Sequence, residues 1–73
     1  MSTYAIIIER GDTGSYGAYS PDLPGCVAVA DDLDECAQLM REAIGFHLEG
    51  LREDGLPVPQ PGTVAATTFT TAA

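Results

Sequence analysis

The chain has 73 residues, of which eleven are Asp or Glu and three are Arg, and its formal net charge is −8 at pH 7. A chain of this length forms a single small domain (residues 1–73) with a marginal core, so we expect other subunits to contribute to its stability. So acidic a surface repels phosphate backbones, and direct binding of DNA or RNA is not expected.

The first half of the chain contains three short segments that predict β-strands. Residues 4–9 are rich in isoleucine and predict a strand that is apolar on both faces. Residues 11–14 (GDTG) predict a turn, and residues 15–20 predict the returning strand of a hairpin. Residues 25–30 are small or β-branched and predict the third strand.

Between the second and third strands, the sequence PDLPG predicts a rigid double turn. Pro21 suits the second position of one turn, with Asp22 hydrogen-bonding the backbone just beyond it, and Pro24-Gly25 suits a type II turn. Turn geometry does not explain Leu23, the apolar side chain at the tip. Either Leu23 covers the core of its own domain, or it is a preorganised anchor for a partner.

The most strongly indicated element is a helix that begins after Asp32. Asp32 is a suitable N-cap, with Glu35 three residues later in the capping-box arrangement, and Gly55 occupies a suitable position to end the helix. Leu39 and Phe46 lie on the shoulder of a wide apolar arc. The arc itself is formed by Cys36, Ala37, Met40, Ala43, Ile44, His47, Leu48 and Leu51.

After the proline-spaced connector LPVPQPG, residues 64–71 predict a last strand. The predicted fold class is therefore α+β, in the order β-β-β-α-β, with one helix on a small, mostly antiparallel sheet. One helix covers only one face of that sheet. We expect a second subunit to bury the other face, or the shoulder formed by Leu39 and Phe46, in a homo-oligomer.

The order of these motifs resembles the HicB antitoxin family. The resemblance rests on YSPDLPGCVA at residues 19–28, the helix start at Asp31-Asp32, EAI and HLE within residues 42–49, and GLPVP at residues 55–59. It implies a partial ribonuclease H-like fold without nuclease activity. It also implies that the protein binds a small basic HicA toxin, a messenger-RNA interferase with a double-stranded-RNA-binding-like fold, and covers the active site of that toxin.

Many members of this family also carry a C-terminal DNA-binding domain. Because the sequence ends at Ala73, just after the last predicted strand, no such domain is expected here. The alternative function is an orphan homo-oligomeric module that has no toxin, with an unknown regulatory or ligand-binding role.

No arrangement of residues predicts catalysis, a cofactor or a metal site. Glu9 is at a strand end and Asp31 lies at the helix start, whereas a nuclease metal site needs several acids that converge from strand positions. His47 is expected to be a core histidine. Cys26 and Cys36 lack any metal-binding spacing and are expected to be reduced core residues of a cytoplasmic protein, because no secretory signal or membrane span is present.

The residues expected to contact a partner combine the rigid loop with the acidic helix start. The helix-start acids also interact favourably with the helix dipole, so this structural role is the alternative to contact with toxin arginines or lysines. The candidates are Tyr19, Pro21, Asp22, Leu23, Pro24, Asp31, Asp32, Asp34 and Glu35.

Overall fold

The computed structural model describes residues 1–72, which form a three-stranded sheet and one helix. The strands are β1 (Ile7–Arg10), β2 (Tyr16–Tyr19) and β3 (Val27–Ala30), and the helix is α1 (Leu33–Glu53). The strands lie in the order β1-β2-β3, and both pairs are antiparallel. The predicted α+β class, with one helix on an antiparallel sheet, is confirmed.

The hairpin between β1 and β2 closes through the predicted glycine-rich turn. The backbone N–H of Gly11 donates to the carbonyl of Ser15 at 2.8 Å, and the N–H of Gly14 donates to the carbonyl of Gly11 at 3.3 Å. β1 begins at Ile7, three residues later than the sequence predicts. Residues 4–6 lead into it as partly buried chain outside the ladder.

Both ends of α1 have the capping interactions that the sequence predicts. At the start, Oδ2 of Asp32 accepts the backbone N–H of Glu35 at 3.0 Å. At the end, Gly55 has φ +69°, which a residue with a Cβ adopts only at a cost. The N–H of Leu56 donates to the carbonyl of Leu51, and that of Gly55 to Arg52, the hydrogen-bond pair of a Schellman motif.

The core lies between α1 and one face of the sheet. Cys36 and Met40 of α1 are fully buried there, and the Sγ of Cys36 lies 3.5 Å from the carbonyl oxygen of Tyr16. The core is completed by residues of the sheet and the loop, namely Ala18, Leu23, Cys26 and Ala30. Cys26 and Cys36 are both free and buried, as predicted.

The apolar arc of α1 is less deeply buried than the sequence predicts. His47, expected in the core, is only half-buried. The shoulder residues Leu39 and Phe46, which are expected to contact a second subunit, are 38% and 78% exposed in the single chain. A helix of 21 residues is about 31 Å long, whereas a strand of four residues spans only about 13 Å. The sheet is therefore too short to cover the whole length of the helix.

The predicted fourth strand over residues 64–71 is not formed in the part of the chain that the structure describes. Residues 57–72 contain neither helix nor strand, and none of the three strands pairs with them. We call residues 64–72 the arm; all of them are exposed, Val64 at 97% and Phe69 at 90%. β-branched composition favours extended chain, but a strand also needs a neighbour for its backbone hydrogen bonds.

Candidate partner-binding surface

The loop between β2 and β3 has the predicted double turn. The backbone N–H of Leu23 donates to the carbonyl of Ser20 at 3.2 Å, which places Pro21 at the second position of the first turn. The N–H of Cys26 donates to the carbonyl of Leu23 at 3.2 Å, and Gly25 has φ +84° at the third position. This is the type II turn that Pro24-Gly25 predicts.

Leu23 does not project from this loop. Its side chain is only 1% exposed and packs in the core with Cys26 and Met40. Of the two roles that the sequence leaves open for Leu23, burial favours the one in which it covers the domain's own core. The buried side chain of Leu23 therefore anchors the loop to the core of its own domain.

Asp22 binds a part of the chain that the sequence does not indicate. Instead of the backbone just beyond it, the Oδ2 of Asp22 accepts the backbone N–H of Thr63 at 3.1 Å. Hydrogen bonds from the backbone of Thr63 and then of Gly62 lower the pKa of the Asp22 carboxyl below its ordinary value. Asp22 thus ties the loop to the segment that precedes the arm.

The acidic start of α1 lies at the other end of β3 from this loop. β3 runs from Val27, next to the loop, to Ala30, next to the helix start, a separation of about 10 Å between the two Cα atoms. The two groups of predicted contact residues are therefore not neighbours. A partner that contacts both must lie along β3.

Six of the eleven acidic residues lie at the end of the sheet where α1 starts, and we call this region the acidic end. The strand register places the β1–β2 turn and the end of β3 at the same edge, because Arg10 pairs with Tyr16 and Tyr16 pairs with Ala30. All six side chains are exposed. They are Glu9, Asp12, Asp31, Asp32, Asp34 and Glu35.

Next to the acidic end, the face of the sheet opposite the helix is uncovered and mostly apolar, and we call it the open face. Side chains alternate along a strand, so the register groups Ile7, Tyr19 and Val27 on this face, together with Glu9, Gly17 and Val29. Val27 and Val29 are 63% and 67% exposed, and Tyr19 is 40% exposed.

Of the residues on the open face, Tyr19 alone is among the predicted contact residues. Val27 and Val29, the most exposed apolar side chains of this face, are not. The alternating sequence VAVA of β3 was the available signal, since its alanines pack towards the helix and its valines point away. The structure brings Tyr19 together with these valines, whereas Pro21 and Pro24 lie on the exposed side of the loop.

Within residues 1–72, no group of three or more His, Cys, Asp or Glu side chains is arranged to hold a metal ion. In the same residues, no helix is both long and apolar enough to cross a bilayer. Burial raises the pKa of the Cys26 thiol above its ordinary value, which disfavours the reactive thiolate.

Comparison with known proteins identifies relatives over most of the chain. The chain is 39% identical over 61 residues to an uncharacterised 14.9 kDa protein of Haemophilus phage HP1, a match that covers 84% of this chain but 45% of the phage protein. It is 43% identical over 54 residues to a UPF0150 protein of Archaeoglobus fulgidus, covering 71% of this chain and 78% of that protein. The chain thus spans less than half of the phage protein.

A solved structure has the same fold. The N-terminal domain of the antitoxin HicB from Burkholderia pseudomallei matches with a TM-score of 0.75 and 34% sequence identity, over 84% of this chain and 73% of that one. The model of the HicB-like antitoxin of bacterial toxin-antitoxin systems matches residues 4–71. Because this match spans nearly the whole chain and the fold agrees, the protein belongs to the HicB-like antitoxin family.

Proposed function

We propose that this protein binds a small basic messenger-RNA interferase of the HicA type and masks its active site, without catalytic activity of its own. The observation that carries the proposal is the position of the acidic end beside the open face. Together they form one continuous surface along β3, negatively charged at one end and apolar in the middle.

The charge of this surface complements a protein that binds RNA. An RNA-cleaving toxin must present lysines and arginines to the phosphate backbone, and the acidic end offers carboxylates to the same groups. Asp31, Asp34 and Glu35 are exposed for such contacts, while Asp32 has the additional role of N-cap. Occupying the basic side chains of the toxin would exclude RNA from them.

The apolar part of the surface supplies the desolvated centre that a stable complex needs. Val27, Val29 and Tyr19 form a flat exposed cluster beside the free edge of β3. In this proposal, Pro21 and Pro24 keep the adjoining loop rigid, and Leu23 and Asp22 hold it from within the domain. Preorganisation of this kind lowers the entropy lost on binding.

The test uses the product of a reading frame adjacent to this gene, if that product is a small basic protein, in a catalytically inactive form. Removing two charges at the acidic end with Asp31→Asn and Glu35→Gln should weaken binding at least about tenfold, measured by titration calorimetry. The wild-type protein should also block RNA cleavage by the active toxin. The effect of the two substitutions should diminish at high salt, because exposed charges are screened.

The matched control removes the same number of charges elsewhere on α1. Glu49→Gln with Glu53→Gln lies at the other end of the helix and leaves the net charge equal to that of the first variant. This control should change the affinity by less than about threefold. Equal losses in the two variants would contradict the assignment of the acidic end. A basic neighbour protein that does not bind would favour the orphan oligomeric module instead.

A further inference from the structure

We propose that the arm, residues 64–72, pairs as a β-strand with the free edge of β1 in a second copy of this chain, so that two copies exchange arms. This surface lies at the opposite edge of the sheet from the one proposed for the toxin. The proposal concerns the purified protein alone, so its test does not depend on whether a toxin binds.

The arm has the composition of a strand but no strand partner. Its sequence VAATTFTTA carries no charge and is rich in β-branched residues, with the aromatic Phe69 among them. Every residue of the arm is exposed, and none of its backbone groups hydrogen-bonds within residues 1–72. An uncharged extended segment with an unpaired backbone is a ready template for pairing with another chain.

The segment before the arm is fixed to its own domain. The Tyr4 hydroxyl donates to the carbonyl of Pro59, and the N–H of Thr63 donates to Asp22. Residues 60, 61 and 63–66 line a groove together with residues 1–3, 5 and 6, so the arm starts beside the chain that leads into β1.

Beyond Ala66, the last arm residue that lines this groove, the arm is fully exposed, with Phe69 at 90%. A compact chain of this length has a radius of gyration of about 11 Å, whereas the structure has 13.8 Å and is 47 Å long but only 25 Å wide. Residues 67–72 reach about 20 Å when extended, which is enough to lie along the four residues of β1 in a neighbouring copy, about 13 Å.

The distribution of charge favours a second copy as the partner on this side of the molecule. Two chains that each carry −8 repel one another unless they meet through uncharged surfaces. Every charged side chain lies in the range from Glu9 to Asp54, so neither the arm nor residues 2–8 carry one. Within β1 the opposite charges of Glu9 and Arg10 sum to zero. Because β1 is an edge strand and each arm starts beside its own β1, the exchange is reciprocal about a twofold axis.

The experiment measures the mass of the full chain by light scattering at micromolar concentration, with two proline substitutions in neighbouring positions of the arm. In a paired strand, the N–H groups of successive residues point alternately towards the neighbour and away from it. Thr67→Pro and Thr68→Pro are the same chemical change, but only one of them removes an N–H that pairs with β1. The wild type should be a dimer. The dissociation constant of the dimer should be at least about tenfold higher in one proline variant than in the other.

The control for the alternative interface on the helix is Phe46→Ser, which should leave the dimer intact. The helix signal in circular dichroism should be unchanged in all variants, because the arm and Phe46 make no core contacts. A monomeric wild type, equal effects of the two prolines, or loss of the dimer in Phe46→Ser alone would each overturn the proposal.

Discussion

At the scale of single residues, Ser20 carries a buried hydroxyl for which residues 1–72 provide no hydrogen-bond partner. The side chain is 3% exposed, and its Oγ has no partner, although the Ser20 carbonyl accepts the first hydrogen bond of the loop. A buried polar group without a partner destabilises the folded state, because it loses its hydrogen bonds to water.

Ser20→Ala should therefore leave the free energy of unfolding unchanged or raise it by up to about 1 kcal/mol, since alanine keeps the backbone hydrogen bond and removes the unpaired group. Urea unfolding at a fixed protein concentration measures the difference, with the exposed Ser2→Ala as a control. A loss of more than about 1 kcal/mol would show that the hydroxyl has a partner in solution.

The hydrogen bonds to the Asp22 carboxylate predict that the stability contributed by this residue depends on pH. Its carboxyl has a pKa below the ordinary value because it accepts hydrogen bonds from the backbone of Thr63 and Gly62. The pKa in the folded state is lower than in the unfolded chain, so the contribution of Asp22 to stability is fully present above the ordinary aspartate value of about 3.9. It is lost as the pH falls through the lowered pKa of the folded state.

The amide proton of Thr63 reports this titration directly by NMR. Its chemical shift should move with an apparent pKa below the ordinary aspartate value, and the transition should disappear in Asp22→Asn. A transition at Thr63 at or above the ordinary value would contradict the contact.

At the scale of the elements, α1 contains glycines whose replacement should have opposite effects. Gly45 lies on the exposed side of the helix interior, and a Cβ built there meets no atom within 4 Å. Gly45→Ala should raise the free energy of unfolding by about 0.5–1 kcal/mol through helix propensity. Gly55→Ala should lower it by about 1–2 kcal/mol, because the Schellman cap holds Gly55 at positive φ.

Urea unfolding of the two variants at one protein concentration measures this contrast. A fixed concentration is needed because association would contribute to stability. The same direction of change in both variants would contradict the cap. The two substitutions test local signals, namely helix propensity and the C-terminal cap. They do so separately from the packing that determines how deeply the helix is buried.

The second half of α1 shows the limit of sequence periodicity at this scale. The pattern at 100° per residue correctly predicts the helix and the buried pair Cys36 and Met40. It also groups His47 with them, although His47 is only half-buried. Periodicity gives the direction of a side chain, but the length of the opposing sheet determines whether anything covers it.

At the scale of the whole molecule, charge and apolar surface are segregated. The acidic end lies beside the open face at the β3 edge, and the uncharged arm starts beside β1 at the other edge. A sheet of three strands has two free edges, and each is a potential site for pairing with another chain. The two proposals assign one edge to a toxin and the other to a second copy of the chain.

The sequence by itself determined what depends on neighbouring residues. The double turn at PDLPG, the cap at Asp32 and the stop at Gly55 depend on preferences for φ and on hydrogen bonds that span a few residues, so local sequence specifies them. The order of three strands and a helix follows from the apolar pattern between those signals. The open face is also expected from the sequence, because a sheet has two faces and a single helix covers only one of them.

Only the tertiary structure decided what depends on residues distant in the chain. It showed that Leu23 lies in the core, that Asp22 binds Thr63 across 41 positions, and that the loop and the helix-start acids lie at opposite ends of β3. It also showed that residues 64–72 do not join the sheet of their own chain, since β-branched composition cannot supply the neighbouring strand that a ladder requires. Strand formation and burial depend on what lies opposite in space, and that is set by the packing of the whole chain.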